Sequence, residues 1–208
     1  MRKVFVSVML LGKLNPTDYV SEDFELSTQH FDFPLSYIIN NEVQEGDEVE
    51  IITAVEHGSG SVQQASDNYA KFHEEVNTLL SQRQAKVHFE EIAINKEFEA
   101  ETFTKFFKEI TLLVRDNDLI YTDVTFGMKV YTLSMFIALA YAVKAAVGAE
   151  MRCVLYSQKY TGTDAALDKN TSKLCDVTSL FYLNAIAGNA KSGQKQDLDK
   201  LFDIIISE

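Results

Sequence analysis

The stretch from Leu119 to Lys129 (LIYTDVTFGMK) runs directly into the apolar stretch from Val130 to Tyr141 (VYTLSMFIALAY). Few arrangements accommodate this. An apolar strand ends at Asp123, a polar turn carries Thr125 and Gly127, and a long apolar helix begins near Lys129. A helix that starts straight after a strand aims its free N–H groups at one spot beyond the strand end, and such a spot suits an anion.

The rest of the chain repeats this alternation. Apolar or alternating runs at residues 4–11, 48–55, 86–94, 119–123 and 151–156 predict five strands. Residues 61–82 set Tyr69, Phe72, Val76, Leu79 and Leu80 at helical spacing, and residues 99–116 do the same with Phe103, Phe106, Phe107, Ile110 and Leu113. Residues 35–43 predict a first crossover helix, ended by the turn at Glu45, Gly46 and Asp47. Residues 178–190 and 198–206 predict two closing helices separated by the polar residues 192–196. Two segments fit less well: residues 13–33 suggest a small inserted hairpin, and the polar residues 161–172 a mobile loop. Strands alternating with helices predict an α/β fold, a Rossmann-like open, mainly parallel sheet of about five or six strands flanked by helices. No repeat or linker divides the chain, so a single domain over residues 1–208 is expected.

Composition narrows the function. Nineteen basic against thirty-one acidic residues give a net charge of −12, which argues against a protein that coats long nucleic acid or an anionic membrane. A small anionic ligand held by local groups is compatible with that charge. Cys153 and Cys175 lie far apart and form no CxxC pair, so reduced thiols in a cytoplasmic protein are expected rather than a zinc site or a disulfide framework. His30 and His73 lack paired ligand spacing, so no metal is expected, and no motif calls for a cofactor. Residues 1–11 show no signal-peptide pattern. The longest apolar segment, residues 133–148, is interrupted by Lys144 and short of the roughly 20 residues of a span. A soluble protein is expected.

The turn after residue 123 has a plain chemistry. The Thr125 hydroxyl and the helix N-terminus donate to anionic oxygens, Lys129 adds a mobile charge, and Phe126 and Met128 complete the turn. Gly127 lets an anion approach the backbone closely. Asp123 suits turn amides or a sugar hydroxyl. The alternative is a turn whose Asp and Thr merely cap the helix. Leu11, Gly12 and Lys13 offer a second backbone approach after the first strand. Residues 56–61 add His57, Gly58, Ser59 and Ser61, the composition of a loop whose amides face a ligand. Tyr156 and Ser157 end the fifth strand. Glu74 and Glu75, and Glu90 and Glu91, read as solvated faces. Arg83 and His88 share the Arg-x4-His spacing of HEPN ribonucleases, but His88 enters a strand and the match reads as coincidence. A P-loop and a Gly-x-Ser-x-Gly elbow are both absent.

The order of these elements resembles the CARF domain, the CRISPR-associated Rossmann fold that serves as sensor module in type III CRISPR systems. The resemblance rests on the Leu11-Gly12-Lys13 loop followed by Tyr19, the helix start at residues 58–61, the Asp123-x-Thr125-x-Gly127-x-Lys129 turn, and Asp176-Val177-Thr178 before a closing helix. It implies a homodimer that binds one cyclic oligoadenylate, of four or six adenosines, across its two-fold axis. It also implies either a sensor that signals to a downstream effector domain or protein, or a stand-alone ring nuclease. In the nuclease, Lys129 or Lys13 would stabilise charge while Ser7, Ser59, Ser61 or Thr125 oriented the ribose. Tyr156 and Ser157 would line the adenine or ribose site, and His57 would meet a phosphate or an adenine.

Overall fold

Val4, Val6 and Val8 alternate with Phe5 and Ser7 along strand β1 (Arg2–Val8), and both faces of the strand are buried. A strand apolar on both faces belongs in the middle of a parallel sheet with helices on either side. The computed structural model, which describes residues 1–15, 17–57, 62–95, 99–159 and 171–189, places β1 there. It pairs in parallel with β3 (Glu48–Glu56) on one side and β5 (Leu119–Asp123) on the other. Outward from β3 lies β4 (Lys86–Ile94), and outward from β5 lies β6 (Glu150–Lys159), both parallel. The sheet then continues through β7 (Thr171–Asp176), antiparallel to β6, to β2 (Asp18–Ser21), parallel to β7. The order is β2-β7-β6-β5-β1-β3-β4.

This is the expected Rossmann-like α/β sheet, with seven strands among the described residues instead of five or six. The additions come from the two segments that fitted least. Among the described residues of 13–33 there is no hairpin; these residues supply the strand β2, and the Ser21 hydroxyl donates to the Leu174 carbonyl at 2.8 Å. Thr171 and Ser172, expected in a loop, belong to β7, while residues 161–170 lie outside the described residues. Both strands are short and mixed in polarity, DYVS and TSKLCD, so they carry no period; pairing with the sheet edge makes them strands. β1 ends at Val8, not at residue 11. The predicted helix at 198–206 and the connector at 192–196 also lie outside the described residues.

Two helices, α1 (Pro34–Glu42) and α2 (Val62–Ser81), cover one face of the sheet. The other face is covered by α3 (Ala100–Leu113), α4 (Lys129–Ala145) and α5 (Thr178–Asn189). Phe5, Ile51 and Tyr121 pack with Ile39, Phe72 and Val76 on the first side; Val4, Ile52 and Ile120 pack with Ile110, Met135 and Leu139 on the second. Phe33 gives α1 no side-chain cap, and Glu75 of α2 supplies one. Its carboxylate accepts from the Asp32 and Phe33 N–H groups at 2.7 and 3.4 Å and from the Ser36 hydroxyl at 2.5 Å. Glu75 is therefore a cap between helices and not the solvated residue its place in the sequence suggested; burial pushes its carboxyl up despite these bonds. Arg83 likewise serves α1, donating to the Asn40 carbonyl at 2.6 Å and Asn40 Oδ1 at 2.5 Å. Among the described residues no helix is long and apolar enough to cross a membrane.

The amino end of the sheet is closed by one buried charge cluster. Arg2 donates to both oxygens of Asp118 at 2.9 and 2.7 Å, to Glu50 at 3.2 Å and to the Leu113 carbonyl at 2.6 Å. Removing one partner of a buried pair leaves the other charge uncompensated. Asp118→Ala is expected to lower the unfolding free energy by about 3 kcal/mol in urea titrations. A loss below about 1 kcal/mol would show that Glu50 and the carbonyl suffice.

Candidate functional site

The strand order reverses between β1 and β5. From β1 the chain first lays β2 at the far edge beside β7, returns through α1 to β3 and β4 on one side of β1, and then crosses to β5 and β6 on the other. The next helices along the chain after β1 and β5, α1 and α4, pack on opposite faces of the sheet, and ligands of open α/β sheets bind in the crevice at such a switch point. The loop after β1 carries Lys13; the turn after β5 carries Thr125, Phe126, Gly127 and Lys129.

That turn is built from inside the sheet. Asp123 is buried at the strand end and its Oδ1 accepts from the Thr125 N–H at 2.8 Å. Thr125 Oγ1 accepts in turn from the Ser157 N–H of β6 at 2.8 Å. The turn-amide role foreseen for Asp123 is thus filled, and the Thr125 oxygen already has a backbone partner. Gly127 sits at φ +89, and a Cβ there would lie 2.3 Å from Val8 Cγ1. The space opened by the missing side chain is filled by Val8, so this glycine serves the packing of the turn on β1 and not the approach of an anion. The Thr132 hydroxyl donates back to the Phe126 carbonyl at 3.0 Å, while the N-cap Met128 gives α4 no side-chain cap. The Tyr131 N–H turns back to the Met128 carbonyl at 2.9 Å, and among the described residues the Lys129 and Val130 N–H groups at the start of α4 have no acceptor. Lys129 and Lys13 are exposed, and among the described residues neither side chain has an ion pair or hydrogen bond.

Two clefts meet at Thr125 and Phe126. The larger, about 620 Å³, is lined by Gly127, Lys129, Leu133, Phe136, Tyr156 and Leu180 among others. The smaller, about 240 Å³, is lined by Leu10, Lys13, Asn15, Tyr19, Ser157 and Ser172 among others. The sequence-derived residues Lys13, Thr125, Phe126, Gly127, Lys129, Tyr156 and Ser157 are thus brought together on either side of one turn. Leu11 packs against the core on the α1–α2 side and Met128 on the other, so both are anchors. Burial pushes the Tyr19 hydroxyl and the Cys153 thiol up, so both stay protonated at neutral pH.

Other candidates stand apart. His57 follows β3 and turns to β4, where its Nε2 meets Glu91 Oε1 at 2.5 Å; it lines neither cleft. Ser7 is buried within β1, paired with Thr53 and Asp123 in the strand register. Gly58, Ser59 and Ser61 lie outside the described residues. Among the described residues no group of His, Cys, Asp and Glu is arranged to hold a metal ion. Sequence reading missed Asn68, which is buried on α2 and donates from Nδ2 to the carbonyls of Leu10 and Gly12, each at 2.8 Å. The signal was present: Asn68 falls between Ala65 and Phe72 on the buried stripe of α2, and a polar residue there needs a partner.

The chain matches no protein-family model and no curated protein closely enough to indicate kinship.

The two glycines of the site separate by experiment. Gly127→Ala is expected to cost at least about 2 kcal/mol of stability, from its positive φ and the Val8 overlap. Gly12→Ala, with nothing within 4 Å of its Cβ position, should stay within about 0.5 kcal/mol. Equal effects in thermal unfolding would refute this assignment. Asp123 gives a pH test. Burial pushes its carboxyl up to about 6, against the hydrogen bonds from Thr125. A folded carboxyl above its unfolded value binds more protons folded than unfolded, so its contribution to stability falls as pH rises from about 4 through about 6. Asp123→Asn, which keeps the acceptor without the charge, should be more stable than wild type by roughly 2–3 kcal/mol at pH 8. The gap should close towards pH 4 in paired denaturation curves, and a gap independent of pH would contradict it.

Proposed function

We propose that the protein binds a cyclic oligoadenylate across a homodimer, cyclic tetra-adenylate in preference to the hexa-adenylate, and acts as a sensor in a type III CRISPR system as CARF domains do. The observation that carries this reading is an alignment on α4. Lys129, Leu133, Ile137 and Tyr141 follow one another at i, i+4 spacing, so the basic residue of the larger cleft and a row of apolar side chains share one helix face. Leu133, Ile137 and Tyr141 are 60, 49 and 55% exposed, and Leu180 and Tyr182 of α5 are exposed as well. A patch of this kind is unfavourable in water and marks an interaction surface. A second copy docked on it about a two-fold axis covers both patches and brings two Lys129 side chains to one ligand.

The lining supports this ligand chemistry. Lys129, Lys13 and the uncapped start of α4 suit phosphodiesters, while Phe126 and Tyr156 offer ring faces on which bases stack. The local basic groups answer the ligand's charge in a chain that is otherwise strongly acidic.

Cleavage of the ring is the second reading, favoured by two exposed, unengaged lysines on the two sides of Phe126. The ribose 2′-hydroxyl would attack the adjacent phosphorus in line. The O2′–P bond forms, the P–O5′ bond breaks, and the products carry a 2′,3′-cyclic phosphate and a 5′-hydroxyl. The lysines would stabilise charge on the phosphoryl oxygens and geometry would do the rest. Ser7 is too buried and Thr125 too firmly tied to Ser157 to share that work.

Incubation with cyclic tetra- and hexa-adenylate without added metal, followed by chromatography, separates the readings: an intact bound ring marks a sensor, linear products a nuclease. Lys129→Ala is expected to weaken ring binding by roughly 1.5–3 kcal/mol, the range for hydrogen bonds to charged groups. Leu133→Glu is expected to give a monomer by light scattering at concentrations where wild type is dimeric. A wild-type protein that stays monomeric with and without ring, or that binds neither ring, would overturn the proposal.

A further inference from the structure

Both amide protons of Asn68 are used on the loop after β1, one on the Leu10 carbonyl and one on the Gly12 carbonyl, while its Oδ1 accepts from Gln64 Nε2 at 3.1 Å. The described peptide bonds contain no cis form. In a planar trans peptide the carbonyl of one residue and the N–H of the next point in opposite directions. Holding the carbonyls of Leu10 and Gly12 against α2 therefore turns the N–H groups of Leu11 and Lys13 away from α2. The smaller cleft, which includes Leu10, Lys13 and Leu14, takes no lining residue from α2 and so lies on that far side of the loop. Neither N–H has a hydrogen-bond acceptor among the described residues. The open space at the Gly12 Cβ position leaves the approach clear.

We propose that Asn68 is the positioning residue of a second anion subsite, in which the N–H groups of Leu11 and Lys13 and the Lys13 ammonium receive a phosphodiester separate from the one at Lys129. Convergent backbone donors beside a cation make a concavity suited to a phosphate oxygen. Without Asn68 the two peptides are free to rotate, and Lys13 loses its neighbours. The inference rests on the reading that the ligand is an oligonucleotide ring, since it needs two phosphates at the spacing of the two clefts.

The test is a double-mutant cycle read by calorimetry with cyclic tetra-adenylate. Asn68→Ala should weaken binding roughly tenfold. Lys13→Ala should cost clearly less in the Asn68→Ala background than alone, whereas Lys129→Ala should cost the same in both. Gln64→Ala, at a partly exposed position, should act in the same direction with a smaller loss, and carries the test if Asn68→Ala does not fold. Trypsin gives a readout without ligand: cleavage after Lys13 should be faster in both variants than in wild type. Unchanged ring affinity in a folded variant, strict additivity with Lys13→Ala, or unchanged tryptic cleavage overturns the role of Asn68. A wild-type chain that binds no ring overturns the functional reading, and the tryptic rate then still decides whether Asn68 holds the loop.

Discussion

Two threonine hydroxyls fasten the carboxyl edge of this sheet. Thr125 Oγ1 accepts from the Ser157 N–H and Thr178 Oγ1 from the Val154 N–H, each at 2.8 Å, so β6 is pinned at two points, by the turn that leads into α4 and by the first residue of α5. Each threonine belongs to an Asp-x-Thr turn in which the aspartate, Asp123 in one and Asp176 in the other, accepts from the threonine N–H at 2.8 Å. In the second turn the Thr178 hydroxyl also donates to Asp176. A hydroxyl that accepts from a strand amide fixes the distance between turn and strand and gives that backbone N–H the partner it needs.

That seam shapes the surface above it. With β6 fixed between them, α4 and α5 lie alongside one another, and Phe136 meets Phe181 edge to face with ring centroids 5.5 Å apart. Their inner residues join the core, and their outer apolar residues remain beside the larger cleft. Val8 fills the space under Gly127 and holds the other side of the turn against β1. The start of α4 is thus placed by β1, β5 and β6 together, which makes it rigid enough to present Lys129 and its first amides in one direction.

Much of this was legible in the sequence. The long periodic segments, residues 61–82, 99–116 and 119–141, read as the elements they form, because a dozen or more residues repeat one signal. The short strands β2 and β7 were not legible, since their strand character comes from pairing with each other and with β6 and not from their own residues. Glu75 looked solvated because its three donors sit on residues 32–36, beyond any local pattern. Gly127 stood out as a glycine, but the reason for it, a valine on a distant strand, is a matter of packing. His57 was rightly placed at a strand end; its turn towards Glu91 depends on the β3–β4 register, in which Ile94 pairs with Glu56. Asn68 carried a usable signal, a polar residue on an apolar stripe, and its partners became identifiable only when β1 and α2 lay side by side.

One ring shared by two chains, through the face that carries Lys129, is the central claim. The most direct measurement is the stoichiometry of a calorimetric titration with cyclic tetra-adenylate, taken together with the mass of the complex in solution. One ring per two chains, in a complex of dimer mass, is the predicted result. One ring per chain in a monomeric complex would contradict it.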